Sequence, residues 1–116
     1  TMRVFAHHLY EYRKGLRRLI LHTTRSEYAG LIVEKCEARD ISYIISEVND
    51  KKINVFFGDS DCIDVLKSFD HLNLCEFTVE MDFILGSMLG YDVKENCRRF
   101  LERSSMKKGN ELKLIS

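Results

Sequence analysis

The residues best suited to chemistry follow the first predicted strand of the chain. Thr24 and Glu27 have the spacing of a capping box, which predicts that a helix begins here. Backbone N–H groups at the start of a helix, together with hydroxyls and a guanidinium, can bind phosphate or carboxylate. Helix capping alone also explains Thr24, and a nucleotide site is disfavoured because no glycine-rich loop is present. The candidate anion site is His22, Thr23, Thr24, Arg25 and Ser26.

A second candidate surface combines basic and aromatic side chains near the N-terminus. It comprises Tyr10, Tyr12, Arg13, Lys14, Arg17 and Arg18. The whole chain balances 18 basic against 18 acidic residues and has no recognised nucleic-acid motif, so nucleic acid is a poor candidate ligand. An acidic protein partner fits better, because complementary charge speeds encounter. A solvated surface with no partner is the simplest explanation of the cluster and stays ahead of both.

The spacing of the histidines, cysteines and aspartates gives little support for a metal site or a catalytic nucleophile. His7 and His8 are about 100° apart on a helix and so face different ways. Cys75 and His71 could form a nucleophile pair, but no third group is placed to orient the histidine. Acids at the start of a helix are explained by its dipole, which accounts for Asp59, Asp61 and Asp64. We therefore predict no catalytic residue, no metal and no cofactor, and we favour a protein that is not an enzyme.

The four cysteines predict a reducing compartment. They form no C-x-x-C pair, and the sequence shows neither a signal-peptide pattern nor an apolar run long enough to span a bilayer. Cys36, Cys62 and Cys97 fall on predicted inward helix faces, and Cys75 falls in a connector. We expect a cytoplasmic protein with no membrane association and reduced thiols.

A chain of 116 residues with 45% hydrophobic residues predicts a single domain over residues 1–116, with a loose tail over 105–116. A first helix ends at Gly15, and a strand covers residues 19–23. A polar turn at 49–52 joins two further strands into a hairpin. Thr78 begins a helix that Gly90 ends, and Asp92 begins the last helix. The fold class is α+β: a three-stranded sheet with a β-α-β-β-α core (a partial ferredoxin-like split β-α-β), one N-terminal helix and two C-terminal helices.

In this arrangement the first two strands are parallel and the third lies between them. Glycine lowers the stability of a helix, so Gly86 inside the fourth helix predicts a close contact that leaves no room for a larger side chain. Leu112, Leu114 and Ile115 offer an alternative edge strand at the C-terminus. The predicted inward faces are Cys62, Val65, Leu66 and Phe69 on the third helix, Met81, Ile84, Leu85 and Met88 on the fourth, and Val93, Cys97, Phe100 and Leu101 on the fifth.

Several segments together resemble a small bacterial family catalogued only as a domain of unknown function. They are residues 3–12 (RVFAHHLYEY), 14–17 (KGLR), 53–59 (INVFFGD), 82–86 (DFILG) and 89–92 (LGYD). The resemblance covers nearly the whole chain. It implies three strands, five helices, a homodimer and an association with flavodoxin-like proteins, and it brings no activity and no catalytic residues.

The sequence thus predicts a cytoplasmic homodimeric binding or accessory module that docks an acidic, flavodoxin-like partner. The alternative is a small-anion-binding or catalytic domain with its ligand at the start of the second helix. A deep pocket lined by His22, Thr24 and Arg25 would favour this alternative.

Overall fold

A computed structural model describes the backbone of residues 2–115 and the side chains of residues 2–106. The chain divides into two compact units, Thr1–Asn73 and Leu74–Ser116, which are described separately. The single domain predicted from the sequence stays a prediction.

The first unit contains the whole sheet and three helices. In chain order its elements are α1 (Met2–Arg13), β1 (Leu19–Arg25), a 3₁₀ turn (Ser26–Tyr28), α2 (Ala29–Ala38), β2 (Ser42–Glu47), β3 (Lys52–Gly58) and α3 (Ser60–Lys67). Gly15 has a φ of +77° just beyond α1, which confirms the predicted glycine stop.

The sheet has the order β1-β3-β2, and β3 is antiparallel to both of its neighbours. Strands β1 and β2 are therefore parallel to each other with β3 between them. This confirms the predicted α+β class and the predicted strand arrangement.

The core of the first unit lies between one face of the sheet and the helices α1 and α2. Phe5 and Ile32 from the helices, with Val55 and Phe57 from β3, are completely buried there. On β1 the register places Ile20, His22 and Thr24 on this same face, opposite Phe57, Val55 and Ile53.

The capping box predicted at Thr24 is wrong. Strand β1 continues to Arg25, and Thr24 is buried opposite Ile53, one pair before the end of the ladder. The pairing also reaches Ser26, whose N–H donates to the carbonyl of Lys51 at 2.8 Å. Helix α2 begins only at Ala29, and no side chain caps it. Threonine is common both in half-buried strands and at helix caps, so its residue type alone did not exclude the strand that forms here.

The predicted inward face of α3 is partly wrong. Ile63 and Leu66 are its buried residues, whereas Val65 is 38% exposed and Cys62 is half-buried. The apolar residues Cys62, Ile63, Val65 and Leu66 make up half of this eight-residue helix, so periodicity alone could not choose between them.

The second unit is a helical hairpin of α4 (Val79–Leu89) and α5 (Val93–Ile115), preceded by a 3₁₀ turn (Leu74–Glu76). The predicted starts of both helices and the predicted end of α4 are confirmed. The Thr78 hydroxyl accepts from the N–H of Met81 at 3.1 Å, and Gly90 has a φ of +86°. Asp92 accepts from the N–H of Glu95 at 3.1 Å.

The predicted inward face of α5 is partly wrong. Of its four residues, Phe100 is half-buried and contacts α4 through the ring of Phe83. Val93 is 76% and Leu101 is 63% exposed, and Cys97 is exposed, whereas Asn96 is only 4% exposed. On α4, Leu85 and Leu89 are buried and Ile84 is 37% exposed.

The C-terminal edge strand offered as an alternative is also wrong, because α5 remains helical to Ile115. The predicted loose tail at 105–116 stays a prediction, since the side chains of 107–115 and the whole of Ser116 lie outside the described residues. No helix in the described part of the chain is both long enough and apolar enough to cross a membrane.

Candidate functional site

A depression of about 510 Å³ lies where the last turns of α1 and α2 meet. We call it the basic groove. Three residues of the predicted basic cluster line it, and two cations of α2 that the sequence analysis did not single out complete it. Its lining residues are Ala6, Leu9, Tyr10, Arg13, Lys14, Lys35 and Arg39.

Helix geometry explains why these side chains share one surface. Ala6, Tyr10, Arg13 and Lys14 are spaced by four, three and one positions, which places them along one side of α1 and just beyond it. Lys35 and Arg39 are four residues apart at the end of α2. The Arg39 guanidinium donates to the Lys35 carbonyl at 3.0 Å, and the Lys14 ammonium lies 5.5 Å from the centroid of the Tyr10 ring.

The charge at the basic groove has one sign. Four cationic side chains line it, and no aspartate or glutamate is among its lining residues in the described part of the chain. The C-terminal ends of two helices carry partial negative charge, which offsets some of this positive potential. That effect falls off within one helical turn, so the outer ends of the cations remain able to attract an anionic ligand.

The other residues of the predicted basic cluster lie outside the basic groove. The Tyr12 hydroxyl donates to Asp59 at 3.0 Å, and Arg18 lies 3.4 Å from the same carboxylate. Burial and the bond to Asp59 raise the pKa of Tyr12. Arg17 is half-buried and acts on His8, whose pKa is lowered by burial and then by the Arg17 charge. The cluster therefore divides into a groove-lining part and a part that supports the sheet.

The predicted anion site corresponds to a second, smaller depression of about 330 Å³. It is lined by Thr23, Thr24, Arg25, Tyr28 and Lys52. Its chemistry differs from the prediction, because Thr24 lies within β1 rather than at the start of a helix. The Arg25 guanidinium already pairs with Glu27 at 2.9 Å, and the Thr23 hydroxyl donates to Asn54. Ser26 and His22 are not among the lining residues.

His22 is instead part of the core. Its ring contacts Phe5 and His8, with centroid distances of 5.5 and 5.4 Å, and its Nε2 is buried without a hydrogen-bond partner. Burial, followed by the nearby His8, lowers its pKa to about 4. The imidazole is therefore neutral at physiological pH and behaves as a packing residue.

No three histidine, cysteine or acidic side chains in the described part of the chain are arranged to hold a metal ion. Cys36 is buried, and this burial raises its pKa to about 11. Burial also raises the pKa of Cys62. Cys75 is exposed, as predicted, and so is Cys97, whose predicted core position is wrong.

The sequence as a whole matches one family model, described as "Protein of unknown function (DUF2023)", over residues 3–103. The chain belongs to this family. No curated protein matches it. The family description names no reaction, ligand or partner, so the geometry of the surface must carry any functional argument for this DUF2023 chain.

The two basic-groove cations that sequence reasoning missed lie at the C-terminal end of α2 in this family member. Lys35 and Arg39 stand four residues apart at a helix end, a pattern that is visible in the sequence. Nothing in the sequence pairs them with Arg13 and Lys14, because that proximity depends on how α1 and α2 pack on the sheet. The basic groove thus forms only in the folded chain, where the cations at the end of α1 meet those at the end of α2.

Proposed function

We propose that this chain is a binding module that docks an acidic protein partner through the basic groove. The observation that carries the proposal is the arrangement of Arg13, Lys14, Lys35 and Arg39 around one depression that no acidic residue lines. An exposed aromatic side chain, Tyr10, lies at the same place. Aromatic and arginine side chains are typical of the energetically important positions in protein interfaces.

The distribution of charge favours a protein partner over nucleic acid. The formal net charge of the chain is zero, so it lacks the excess positive charge that draws a protein to a polyanion. A local basic surface on a neutral protein instead suits a local acidic surface, where complementary charge selects the partner and speeds its binding.

The test uses a flavodoxin-like protein as the acidic probe, in titrations at low and physiological salt. The variant carries Lys14→Glu and Lys35→Glu, one reversal from each wall of the basic groove. The matched control carries Lys67→Glu and Lys94→Glu, two exposed lysines outside the groove. Both variants change the net charge equally, so only the position of the charge distinguishes them.

We expect the groove variant to lose binding and the control to keep most of it. Reversal of Arg17 and Arg18 should have an intermediate effect, because those residues lie outside the groove lining. Wild-type binding should weaken as salt rises, since exposed charges are screened. Equal losses in the groove and control variants would overturn the proposal.

We also propose that the module is a cytoplasmic homodimer. The exposed Val93, Cys97 and Leu101, spaced by four residues along α5, support self-association. Such a face can pair with its own copy about a two-fold axis, with Val93 opposite Leu101 of the second chain. Sedimentation should show a dimer in the wild type and a monomer in Leu101→Glu. An unchanged dimer in that variant would remove α5 from the interface.

The alternative function is small-anion binding, and the depression at Thr23, Thr24, Arg25, Tyr28 and Lys52 is the observation that favours it. Inorganic phosphate should then bind to the wild type in calorimetry, and Lys52→Ala should abolish the heat. The Arg25–Glu27 ion pair competes for the same guanidinium, which makes this the weaker of the two functions.

A further inference from the structure

Two apolar residues of α1, Ala6 and Leu9, line the basic groove together with the cations, and we call them the apolar strip. The methyl group of Ala6 is exposed, and Leu9 lies beside it at the edge of the core with 7% exposure. Two of the cations, Arg13 and Lys14, come from the C-terminal end of α1, and the other two, Lys35 and Arg39, come from the C-terminal end of α2. A ligand that carried only charge would leave this strip uncovered.

The cations themselves are unlike a phosphate cradle. Phosphate sites in proteins usually combine backbone N–H groups at a helix N-terminus with rigid donors. The basic groove lies at helix C-termini, where carbonyl groups and the helix dipole disfavour a single concentrated anion. Long side chains on two separate helices suit several carboxylates distributed along a chain.

The volume agrees with such an occupant. A depression of about 510 Å³ lies within the range of ~300–1,000 Å³ that holds drug-sized ligands, so it can accept an apolar side chain together with its neighbours. The Lys14 ammonium lies near the face of the Tyr10 ring, which limits the freedom of this cation before binding.

We infer that the basic groove receives an acidic polypeptide segment that places one apolar side chain on Ala6 and Leu9, with carboxylates on both sides contacting the four cations. This inference rests on the proposed function and specifies what the partner presents. Charge draws the segment to the groove, and burial of the apolar side chain adds the affinity that exposed ion pairs alone lack.

The test compares two fluorescent peptides. One has a central leucine with acidic residues on both sides, and the other has serine at the central position with the same charges. We expect the leucine peptide to bind the wild type about tenfold more tightly, because a buried leucine contributes at least that factor. Polarisation measured at physiological salt reports both affinities.

Substitutions on α1 and α2 separate the apolar strip from the charge. Ala6→Phe fills the strip and leaves every cation in place, so it should remove the difference between the two peptides. Ala38→Phe, at an exposed alanine outside the groove lining, is the matched control and should preserve it. Circular dichroism of both variants checks that a change in binding does not come from a loss of fold.

Two outcomes would overturn the inference while sparing the proposed function. The first is equal binding of both peptides to the wild type, with both lost in the Lys14→Glu and Lys35→Glu variant. The second is unchanged discrimination in Ala6→Phe. Displacement of the leucine peptide by equimolar inorganic phosphate would also overturn it, since it would show a site for concentrated charge.

Discussion

The first unit has a continuous apolar core, whereas in the hairpin of the second unit polar side chains join the two helices beside the apolar contacts. In the first, Phe5 and Phe57 lie completely buried with ring centroids 5.4 Å apart, within a continuous apolar cluster. In the second, the Asn96 amide reaches from α5 to α4, where it donates to the Phe83 carbonyl and the Ser87 hydroxyl, each at 3.2 Å. Apolar contacts tolerate small displacements, whereas these hydrogen bonds do not.

Gly86 and Asp82 complete the polar contact between α4 and α5. A Cβ atom at Gly86 would lie 2.5 Å from Asn96 Oδ1 and 3.1 Å from the Tyr91 ring, so only glycine leaves room for the amide. Asp82 accepts from Arg99 at 3.0 and 3.1 Å and lies 3.0 Å from Arg103. One ring pair, Phe83 with Phe100, adds an apolar contact. The hairpin should therefore respond to salt and to isosteric polar substitutions, and the sheet unit should respond mainly to lost volume.

The largest expected effect is that of Phe57→Ala, which removes a fully buried ring from the first unit. Such a truncation costs about 3–5 kcal/mol, because the lost burial and the cavity add together. Urea unfolding measures the cost. Phe83→Ala, at a half-buried ring of the hairpin, is the comparison and should cost clearly less. Equal costs would mean that the hairpin depends on apolar burial as much as the sheet unit does.

The next largest effect is expected at Gly86, where α4 and α5 approach each other closely. Gly86→Ala should destabilise the protein by about 1–3 kcal/mol through overpacking, although alanine is the better helix former. Gly30→Ala in α2 is the matched control, since a Cβ there meets nothing within 4 Å. It should stabilise the protein by about 0.5–1 kcal/mol. A more stable Gly86→Ala variant would show that the Asn96 amide does not need this space.

The third prediction concerns acid sensitivity of the first unit. The pKa of His22 falls from its ordinary 6.5 to about 4 in the folded protein, so the unfolded chain binds more protons between these values. The contribution of neutral His22 to the free energy of unfolding should be fully present above about pH 6.5. It should fall as the pH is lowered toward 4, by at most about 1.4 kcal/mol per pH unit.

Urea unfolding at a series of pH values, with His22→Phe as the variant, isolates this contribution. The variant should lose less stability between pH 6.5 and 4 than the wild type. His7→Gln, at an exposed histidine of α1, serves as the control and should follow the wild type. Identical pH profiles for the wild type and His22→Phe would refute the assignment to His22.

The smallest expected effects concern charge in the hairpin. Asp82→Asn should cost about 1 kcal/mol at low salt, because a carboxylate that is 18% exposed loses two arginine partners that join the helices. Glu102→Gln removes an exposed pair with Arg98 within α5 and should cost clearly less, because solvent screens it. The two costs should converge in high salt. A salt-independent cost for Asp82→Asn would point to hydrogen-bond geometry rather than charge.

The sequence predicted those features that depend on neighbouring residues. Gly15, Thr78, Gly90 and Asp92 all mark helix ends as expected, because caps and left-handed glycines are determined within one turn. The strand order followed from the alternation of strands and helices and from the hairpin turn at 49–52. These features need no knowledge of distant contacts.

The errors arose where a distant partner decides the outcome. Hydrophobic periodicity placed Val93, Cys97 and Leu101 inward, but α5 packs on α4 through Asn96 and Asp82-bound arginines, which no apolar pattern reveals. Thr24 lies in β1 because it pairs with β3, although its side chain could also have capped a helix. Half of the basic-groove cations were missed for the same reason, since they belong to different segments of the chain.

The strand order β1-β3-β2 also has a consequence for the course of folding. Strands β2 and β3 are separated by a short turn and can pair in microseconds, at little cost in chain entropy. Pairing of β1 with β3 closes a longer loop, which contains α2 and β2, so we expect this pairing to form later. In a chain whose β1 is not yet paired, one edge of β3 would be exposed to other chains. We therefore expect this protein to be most prone to aggregate before β1 has paired.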